Sequence, residues 1–248
     1  MGRAFVWLVV CALAAMAPAC ARESVKLGAE EDWSPFSGLD NGRPAGFSVE
    51  VIRAAYDAVG LDVEFVPYPY ARCLSLTMSG ALPGCFDIIR NQERESAFLW
   101  PSRPLFRARI GIFVRKNYPA PVVRPEELSG RSVAVTHGYE YGDAIDRNAT
   151  IRKVEGLRDE SGFRMLKAGR VDYMLAYQNV ADHVFRQWDQ DFGGQFRMAG
   201  TAYEAALFVG FSRRHPQSAR YAKLLDLGLE IIQGNGRYRQ LQVRWGVE

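Results

Sequence analysis

Histidine and cysteine are scarce in this chain, and their scarcity limits the chemistry that it can carry. The 248 residues include only three histidines and four cysteines. The histidines do not stand at zinc-ligand spacing from the cysteines, so a structural zinc site is not predicted. We therefore expect neither a metal nor a cofactor.

A strong excess of one charge is also missing. Lysine and arginine total 31 against 28 aspartates and glutamates, for a formal net charge of +3. No block of basic residues stands out from this near balance. Proteins that bind nucleic acid usually present such a block, so nucleic acid is not expected as a partner.

Long apolar runs are absent beyond the amino terminus. There, Arg3 precedes an apolar run from Phe5 to Met16, and small residues follow up to Ala21. This order is typical of a signal peptide, predicted here as residues 1–21, and the run is too short to span a bilayer comfortably. An alternative reading makes Cys20 a lipidated amino terminus. Either way, we expect an exported protein that is soluble or tethered only at its start.

Cys73 and Cys85 are the two cysteines that remain after such processing. An exported chain meets an oxidising compartment, where paired cysteines usually form a disulfide. The sequence therefore predicts a bond between Cys73 and Cys85 that joins a helix to the following strand. Two buried free thiols are the alternative.

Predicted strands and helices alternate along the chain. The first round has strands near 24–29, 61–66 and 84–89 and helices near 49–59 and 71–79. A second round runs from a strand at 132–136 to a helix near 180, and two helices end the chain. Alternation with short connections predicts an α/β fold with parallel sheets, and two similar rounds suggest two lobes.

The stretch from Arg90 to Pro101 has the features of an anion-binding corner. Asn91 is a good N-cap, so a short helix is predicted to begin there. Helix amino termini attract anions, and Arg94 adds a planar fork that can hold a carboxylate in two places. Locally, a surface arginine on a helical turn explains the pattern equally simply.

Four stretches in order resemble the bacterial extracellular solute-binding proteins of family 3, the periplasmic receptors of polar amino acid ABC importers. The resemblance covers essentially the whole mature chain. Its motifs are Trp33-Ser34-Pro35-Phe36 with Gly46-Phe47-Ser48-Val49-Glu50, the segment 79–94 ending in Glu93-Arg94, Ala168-Gly169-Arg170-Val171-Asp172, and Phe211-Ser212-Arg213-Arg214-His215-Pro216 with Gly236-Arg237-Tyr238.

The resemblance implies a two-lobed periplasmic binding protein fold of type II. Each lobe would hold a mixed, mostly parallel sheet flanked by helices, and two crossing strands near 106–109 and 203–208 would join them. Lobe 1 would comprise residues 22–107 and 207–248, and lobe 2 residues 108–206. The protein would act in the periplasm as a monomer, without catalysis, and would pass its ligand to the membrane permease of an ABC importer.

By the same resemblance, Arg94 is the partner of a ligand carboxylate, with Asn91 beside it. In lobe 2, Gly138, Tyr139 and Glu140 occupy the family's carboxylate-binding loop. The aromatic side chains Trp33, Phe36 and Tyr70 could line the ligand or simply pack in the core.

Tyr177 departs from the family pattern, because it stands where the family has the acid that binds the ligand amine. A buried ammonium needs a charged partner. Either Glu140 or Asp32 replaces that acid, or the ligand lacks an α-amine, or the protein does not bind amino acids.

We predict a substrate-binding protein for a small polar solute with a carboxylate, an amino acid or a derivative. One alternative is a ligand-sensing or accessory periplasmic protein that feeds no transporter. The other is a dehydratase-like enzyme on the same fold, for which only Glu140, Asp87 and His137 could serve as acid or base.

Overall fold

The structure is a computed structural model that describes residues 22–247. The predicted signal peptide, including Cys20, lies outside the described residues. The strands are β1 Ser24–Glu30, β2 Asp32–Trp33, β3 Ser37–Asp40, β4 Arg43–Ala45, β5 Asp62–Tyr68, β6 Gly84–Ile89, β7 Phe98–Leu99, β8 Phe106–Arg115, β9 Ser132–Thr136, β10 Arg152–Gly156, β11 Tyr173–Tyr177 and β12 Phe196–Ser212. The helices are α1 Phe47–Ala58, α2 Tyr70–Ser79, α3 Asp143–Asp146, α4 Asp159–Lys167, α5 Gln178–Gln187, α6 Asp189–Phe192, α7 Ser218–Gly234 and α8 Arg237–Trp245.

A nine-stranded mixed sheet runs through the protein in the order β10-β9-β11-β8-β12-β6-β1-β5, with β7 paired to β12. At one end β1 lies parallel to β5 and β6, and at the other β9 lies parallel to β10 and β11. We call the α/β unit around β1, β5 and β6 the first lobe and the unit around β9, β10 and β11 the second lobe. The predicted fold class, two lobes with mostly parallel sheets, is confirmed.

Two antiparallel strands, β8 and β12, join the lobes. Their pairing runs from Phe196 opposite Arg115 to Leu207 opposite Phe106, and β12 then continues alongside β6. β12 reaches 17 residues because it serves both lobes. Both predicted crossings lie within these strands, while the lobe boundaries at 107/108 and 206/207 stay predictions.

The first lobe is completed by helices from both ends of the chain. α1 buries an apolar face that includes Val51, Ile52 and Ala55, and it packs on α7 and α8. α7 approaches α1 very closely at Gly228, where a Cβ atom would lie 2.0 Å from the Ala55 carbonyl oxygen. A glycine is therefore required at this helix contact.

The predicted disulfide is confirmed. Cys73 on α2 is bonded to Cys85 on β6, with the two Cα atoms 5.9 Å apart. Both residues are fully buried beside Leu74 and Ile88. The bond fixes α2, which carries Tyr70 at its first turn, against the strand that leads to Arg94.

Three local features differ from the sequence predictions. Residues 92–97 form turns rather than the short helix predicted from Asn91. α1 begins at Phe47, two residues before the predicted start near 49, with Gly46 in the N-cap position, and the Ser48 hydroxyl donates to Asp87. A small three-stranded sheet, β2-β3-β4, was not predicted. Among residues 22–247, the helices are too short or too polar to cross a membrane.

Candidate functional site

Arg94 lies in the turns between β6 and β7, at the end of the first lobe's sheet. Its backbone N–H donates to Asn91 Oδ1 at 2.9 Å, while the Asn91 carbonyl accepts from the Glu95 N–H at 2.9 Å. The predicted N-cap residue therefore performs a capping contact, but around a turn that does not continue as a helix. Asn91 positions Arg94 in this way, and its predicted ligand contact remains a prediction.

Glu140, in the second lobe's loop between β9 and α3, meets Arg94 between the lobes. Its Oε1 atom is 2.6 Å from Arg94 Nη2, and its Oε2 atom accepts a hydrogen bond of 2.8 Å from the Tyr70 hydroxyl. Arg94 and Tyr70 of the first lobe thus hold one carboxylate of the second lobe.

The Arg94–Glu140 contact is close but poorly aligned. Neither Arg94 Nε nor Glu140 Oε1 has a hydrogen-bond partner, although both atoms are buried. Burial raises the pKa of Glu140 to about 7, and the guanidinium of Arg94 and the hydroxyl of Tyr70 limit that rise. Arg94 Nε therefore remains a donor without an acceptor. A carboxylate with better hydrogen-bond geometry could accept from it.

Gly138 and Tyr139 form the rest of the second lobe's loop. Gly138 has φ of +80°, a conformation that favours glycine, and it lies close to Ala71 of the first lobe. The Tyr139 hydroxyl donates to Glu30 Oε1, and its ring packs edge-on against Tyr70 at 5.3 Å between centroids. This loop therefore contacts the first lobe at several points.

Trp33, Phe36 and Tyr177 are buried in the main core. Phe36 stacks on Phe106 at 4.5 Å, and the Trp33 ring meets the edge of Tyr177 at 4.9 Å. Phe36 packs in the core, which was the alternative to a ligand contact. Trp33 and Tyr177 lie where the core meets the site. A ligand contact of these three side chains stays a prediction.

Two charged residues near the site are paired elsewhere. Arg90 makes two hydrogen bonds of 2.7 Å to Glu95, so its charge is already paired next to the Arg94 turn. Asp32, a candidate for the amine partner, is 3.1 Å from Arg158 at the rim.

Two buried acids lie near the site, of which Glu30 was missed and Asp87 was considered only as a catalytic acid. Glu30 is the last residue of β1, and Asp87 lies in β6 with φ of +63°. An acid at the end of a central parallel strand was the available signal for Glu30. Asp87 gave no such signal, because apolar residues flank it on both sides in the sequence. Its left-handed backbone conformation breaks the alternation of side chains along the strand, so the sequence does not show on which side Asp87 lies.

Two cavities touch the site. One of about 250 Å³ is lined by Glu30, Tyr70, Tyr139 and Thr136 among others. A second of about 540 Å³ is lined by Asn91 and Tyr141, with Gln92, Gly142 and Tyr203. Across residues 22–247, we find no group of three or more histidine, cysteine or acidic side chains suited to a metal ion.

Comparison with known proteins gives a match over nearly the whole chain. The model of the bacterial extracellular solute-binding proteins, family 3, matches residues 25–248. A Haemophilus influenzae protein named probable amino-acid ABC transporter-binding protein is 29% identical over 241 residues, which cover 90% of this chain and 84% of the relative.

Solved structures share the fold. An ancestral arginine-binding protein bound to arginine superposes with a TM-score of 0.77 at 22% identity, over 90% of this chain and 98% of its own. A histidine kinase sensor domain with similarity to periplasmic binding proteins gives 0.78 at 22% identity, over 90% and 96%. At these identities the likeness concerns the fold alone.

Proposed function

Since this chain belongs to the bacterial extracellular solute-binding proteins of family 3, we propose that it captures a small carboxylate-bearing solute between its lobes. The solute is an amino acid or a close derivative, and an ABC importer receives it. The family binds solutes and does not catalyse reactions, which agrees with the predicted lack of enzymatic activity and leaves the dehydratase-like alternative without support.

The contact of Glu140 with Arg94 and Tyr70 carries this proposal. A carboxylate already lies between these two side chains, with a guanidinium nitrogen at 2.6 Å and a hydroxyl donor at 2.8 Å. Charge-assisted hydrogen bonds to a planar guanidinium are the usual means of holding a carboxylate. These contacts support a carboxylate site in the first lobe, in which Glu140 takes the place of the ligand carboxylate.

The class of ligand rests on the relatives. The Haemophilus influenzae protein is named for amino-acid transport, and the ancestral relative of the same fold holds arginine. An amino acid has the carboxylate that Arg94 and Tyr70 would bind. Trp33, Phe36, Tyr139 and Tyr177 would surround the rest of the ligand, and Gly138 and Asn91 would shape the loops on either side.

The remaining parts of the proposal follow the family's mode of action. A signal peptide at residues 1–21 would export the chain to the periplasm, with lipid anchoring at Cys20 as the alternative. The protein would act as a monomer that docks on a membrane permease. Residues 22–107 with 207–248 would form one lobe and residues 108–206 the other, and closure around the ligand would be a hinge motion.

A calorimetric and thermal-shift screen of the twenty amino acids and small carboxylates tests the proposal. At least one should raise the melting temperature of the mature protein. Arg94→Ala should remove that shift, while Arg72→Ala, at an exposed position of α2, should keep it. Absence of any shift in the wild type, or full binding by Arg94→Ala, would overturn the proposal.

A sensory role is the second candidate. It is favoured by the pairing of Arg94 with Glu140, which joins the two lobes directly, and the fold is shared with a kinase sensor domain. A sensory protein that signals while Arg94 and Glu140 are paired would bind its protein partner in the ligand-free state. Pull-down of the permease only when the solute is present would decide for transport.

A further inference from the structure

The described chain buries acidic side chains without matching basic ones. Four carboxyl side chains are buried among residues 22–247, namely Glu30, Asp87, Glu140 and Asp159, with exposed fractions of 8%, 5%, 8% and 6%. In the same range no lysine or arginine is buried to that degree, and the Arg94 side chain is 18% exposed. Only Glu140 is paired with Arg94.

Asp87 is the least satisfied of these acids. Its Oδ1 atom accepts a hydrogen bond of 2.7 Å from Ser48, while Oδ2 is buried and has no partner. Burial raises the pKa of Asp87 to about 8, and the Ser48 hydroxyl only partly opposes that rise. A buried carboxyl with one free oxygen has unused capacity to accept hydrogen bonds.

Glu30 is a second buried acid, close enough to Asp87 for their charges to interact. Burial raises its pKa well above the usual range, and the carboxylates of Asp87, Asp159 and Asp32 raise it further. The Tyr139 hydroxyl is the group that opposes this rise. Glu30 also lines the cavity of about 250 Å³ between the lobes, so a small solute can approach it.

The Tyr177 hydroxyl group belongs to the same neighbourhood. Burial raises its pKa well above the usual value, and so do the nearby carboxylates of Glu140, Asp87 and Glu30. The position that holds an acid in the resembled family is thus a neutral hydroxyl here, set among three acids from other elements. Acidic side chains near the end of β11 therefore come from β1, from β6 and from the loop that carries Glu140.

We propose that Asp87, with Glu30 beside it, binds a cationic group of the ligand, an ammonium or a guanidinium. This inference rests on the proposed function, because it assigns the other end of the solute whose carboxylate Arg94 binds. A cation there would give Asp87 Oδ2 its missing partner and favour the ionised form of the two acids, which burial opposes. Buried charges are normally paired in this way.

A purely structural role for Asp87 is the competing explanation, since its Oδ1 atom holds Ser48 near the start of α1. Asp87→Asn separates the two roles. Asparagine keeps an acceptor oxygen for Ser48 and tolerates the left-handed backbone, but it cannot carry the negative charge. Asp40→Asn, at an exposed position of β3, is the matched control.

The experiment uses titration calorimetry on the mature protein with the amino acid that binds best in the screen. Its 2-hydroxy acid, which lacks the amine, and its decarboxylated amine are compared with it, together with putrescine and agmatine. Asp87→Asn should weaken the amino acid about ten-fold or more and leave the 2-hydroxy acid unchanged. Asp40→Asn should match the wild type. If Asp87→Asn fails to fold, Glu30→Gln takes its place.

The outcomes separate this inference from the proposed function. Equal binding of the amino acid by wild type and Asp87→Asn overturns the cation site and leaves the carboxylate site standing. Asp87-dependent binding of amines, with no binding of carboxylates, supports the cation site and overturns the proposed function. No binding of any probe to the wild type overturns both.

Discussion

Arg94 and Glu140 meet between the lobes, with a guanidinium nitrogen 2.6 Å from a carboxylate oxygen. Arg94 precedes the crossing into the second lobe, and Glu140 follows it. The two side chains therefore make contact only when the lobes lie together. Under the proposed function, Glu140 would occupy the place of a ligand carboxylate. A solute that binds Arg94 would then have to displace it.

Glu140→Gln should strengthen the binding of a carboxylate ligand by about ten-fold, since the internal carboxylate no longer competes for Arg94. Titration calorimetry with the best amino acid from the screen measures the change. Glu126→Gln, an exposed position of the same lobe, should behave as the wild type. Weaker binding by Glu140→Gln would show that Glu140 contacts the ligand instead of competing with it.

Stability should fall as the pH rises from about 4 to about 8. Burial raises the pKa values of Asp87 from 3.8 to about 8, of Glu140 from 4.5 to about 7 and of Asp159 from 3.8 to about 6. In this interval the folded chain retains protons that the unfolded chain has released. The free energy of unfolding is therefore highest below the unfolded pKa values and is lost as the pH rises through the folded ones.

Urea unfolding at several pH values measures this trend. Asp87→Asn removes a group whose pKa rises from 3.8 to about 8, so the stability of this variant should depend less steeply on pH, while Asp40→Asn should keep the wild-type slope. A wild-type stability that increases between pH 5 and pH 8 would contradict the expectation.

Removal of the disulfide should cost about 3 kcal/mol, the value expected for a closed loop of this length. The bond spans a sequence separation of 12 residues. The Cys73→Ser, Cys85→Ser double variant should melt about 6–12 °C lower than the wild type. Reductant should lower the melting temperature of the wild type similarly and leave the double variant unchanged; an unaffected wild type would speak against the bond.

Gly228→Ala should destabilise the protein by about 1–3 kcal/mol, because its methyl group has no space beside the Ala55 carbonyl oxygen. Gly234→Ala, in the same helix, is the matched control, since a Cβ there meets nothing within 4 Å. Chemical denaturation compares the two variants. Equal stabilities would mean that α1 and α7 can separate without cost.

The sequence allowed the fold class and the disulfide to be predicted, because both follow from the order of strands, helices and cysteines. It did not predict the start of α1, since Gly46 and Ser48 are both acceptable at an N-cap and tertiary contacts decide between them. Asn91 predicted the start of a helix, but it caps a turn instead. The turn does not continue as a helix because β7 begins soon afterwards and pairs with β12.

The site was predicted from the sequence only in its outline. Arg94 and Glu140 were both named as ligand residues, which stays a prediction. Their contact with each other depends on the arrangement of the lobes, which spacing along the chain does not reveal. Asp87 was considered only as an acid for catalysis. Its burial without a charged partner becomes visible only when β1, β6 and β11 are brought together.

The hydrogen-bonded crossing of β8 and β12 has a mechanical consequence. Two strands that cross side by side form a ribbon, which bends more easily across its face than within its plane. Relative movement of the lobes should therefore be restricted to rotation about one axis. The two halves of the binding site, once opened, would return to the same alignment, so the ligand meets a fixed geometry each time the protein closes.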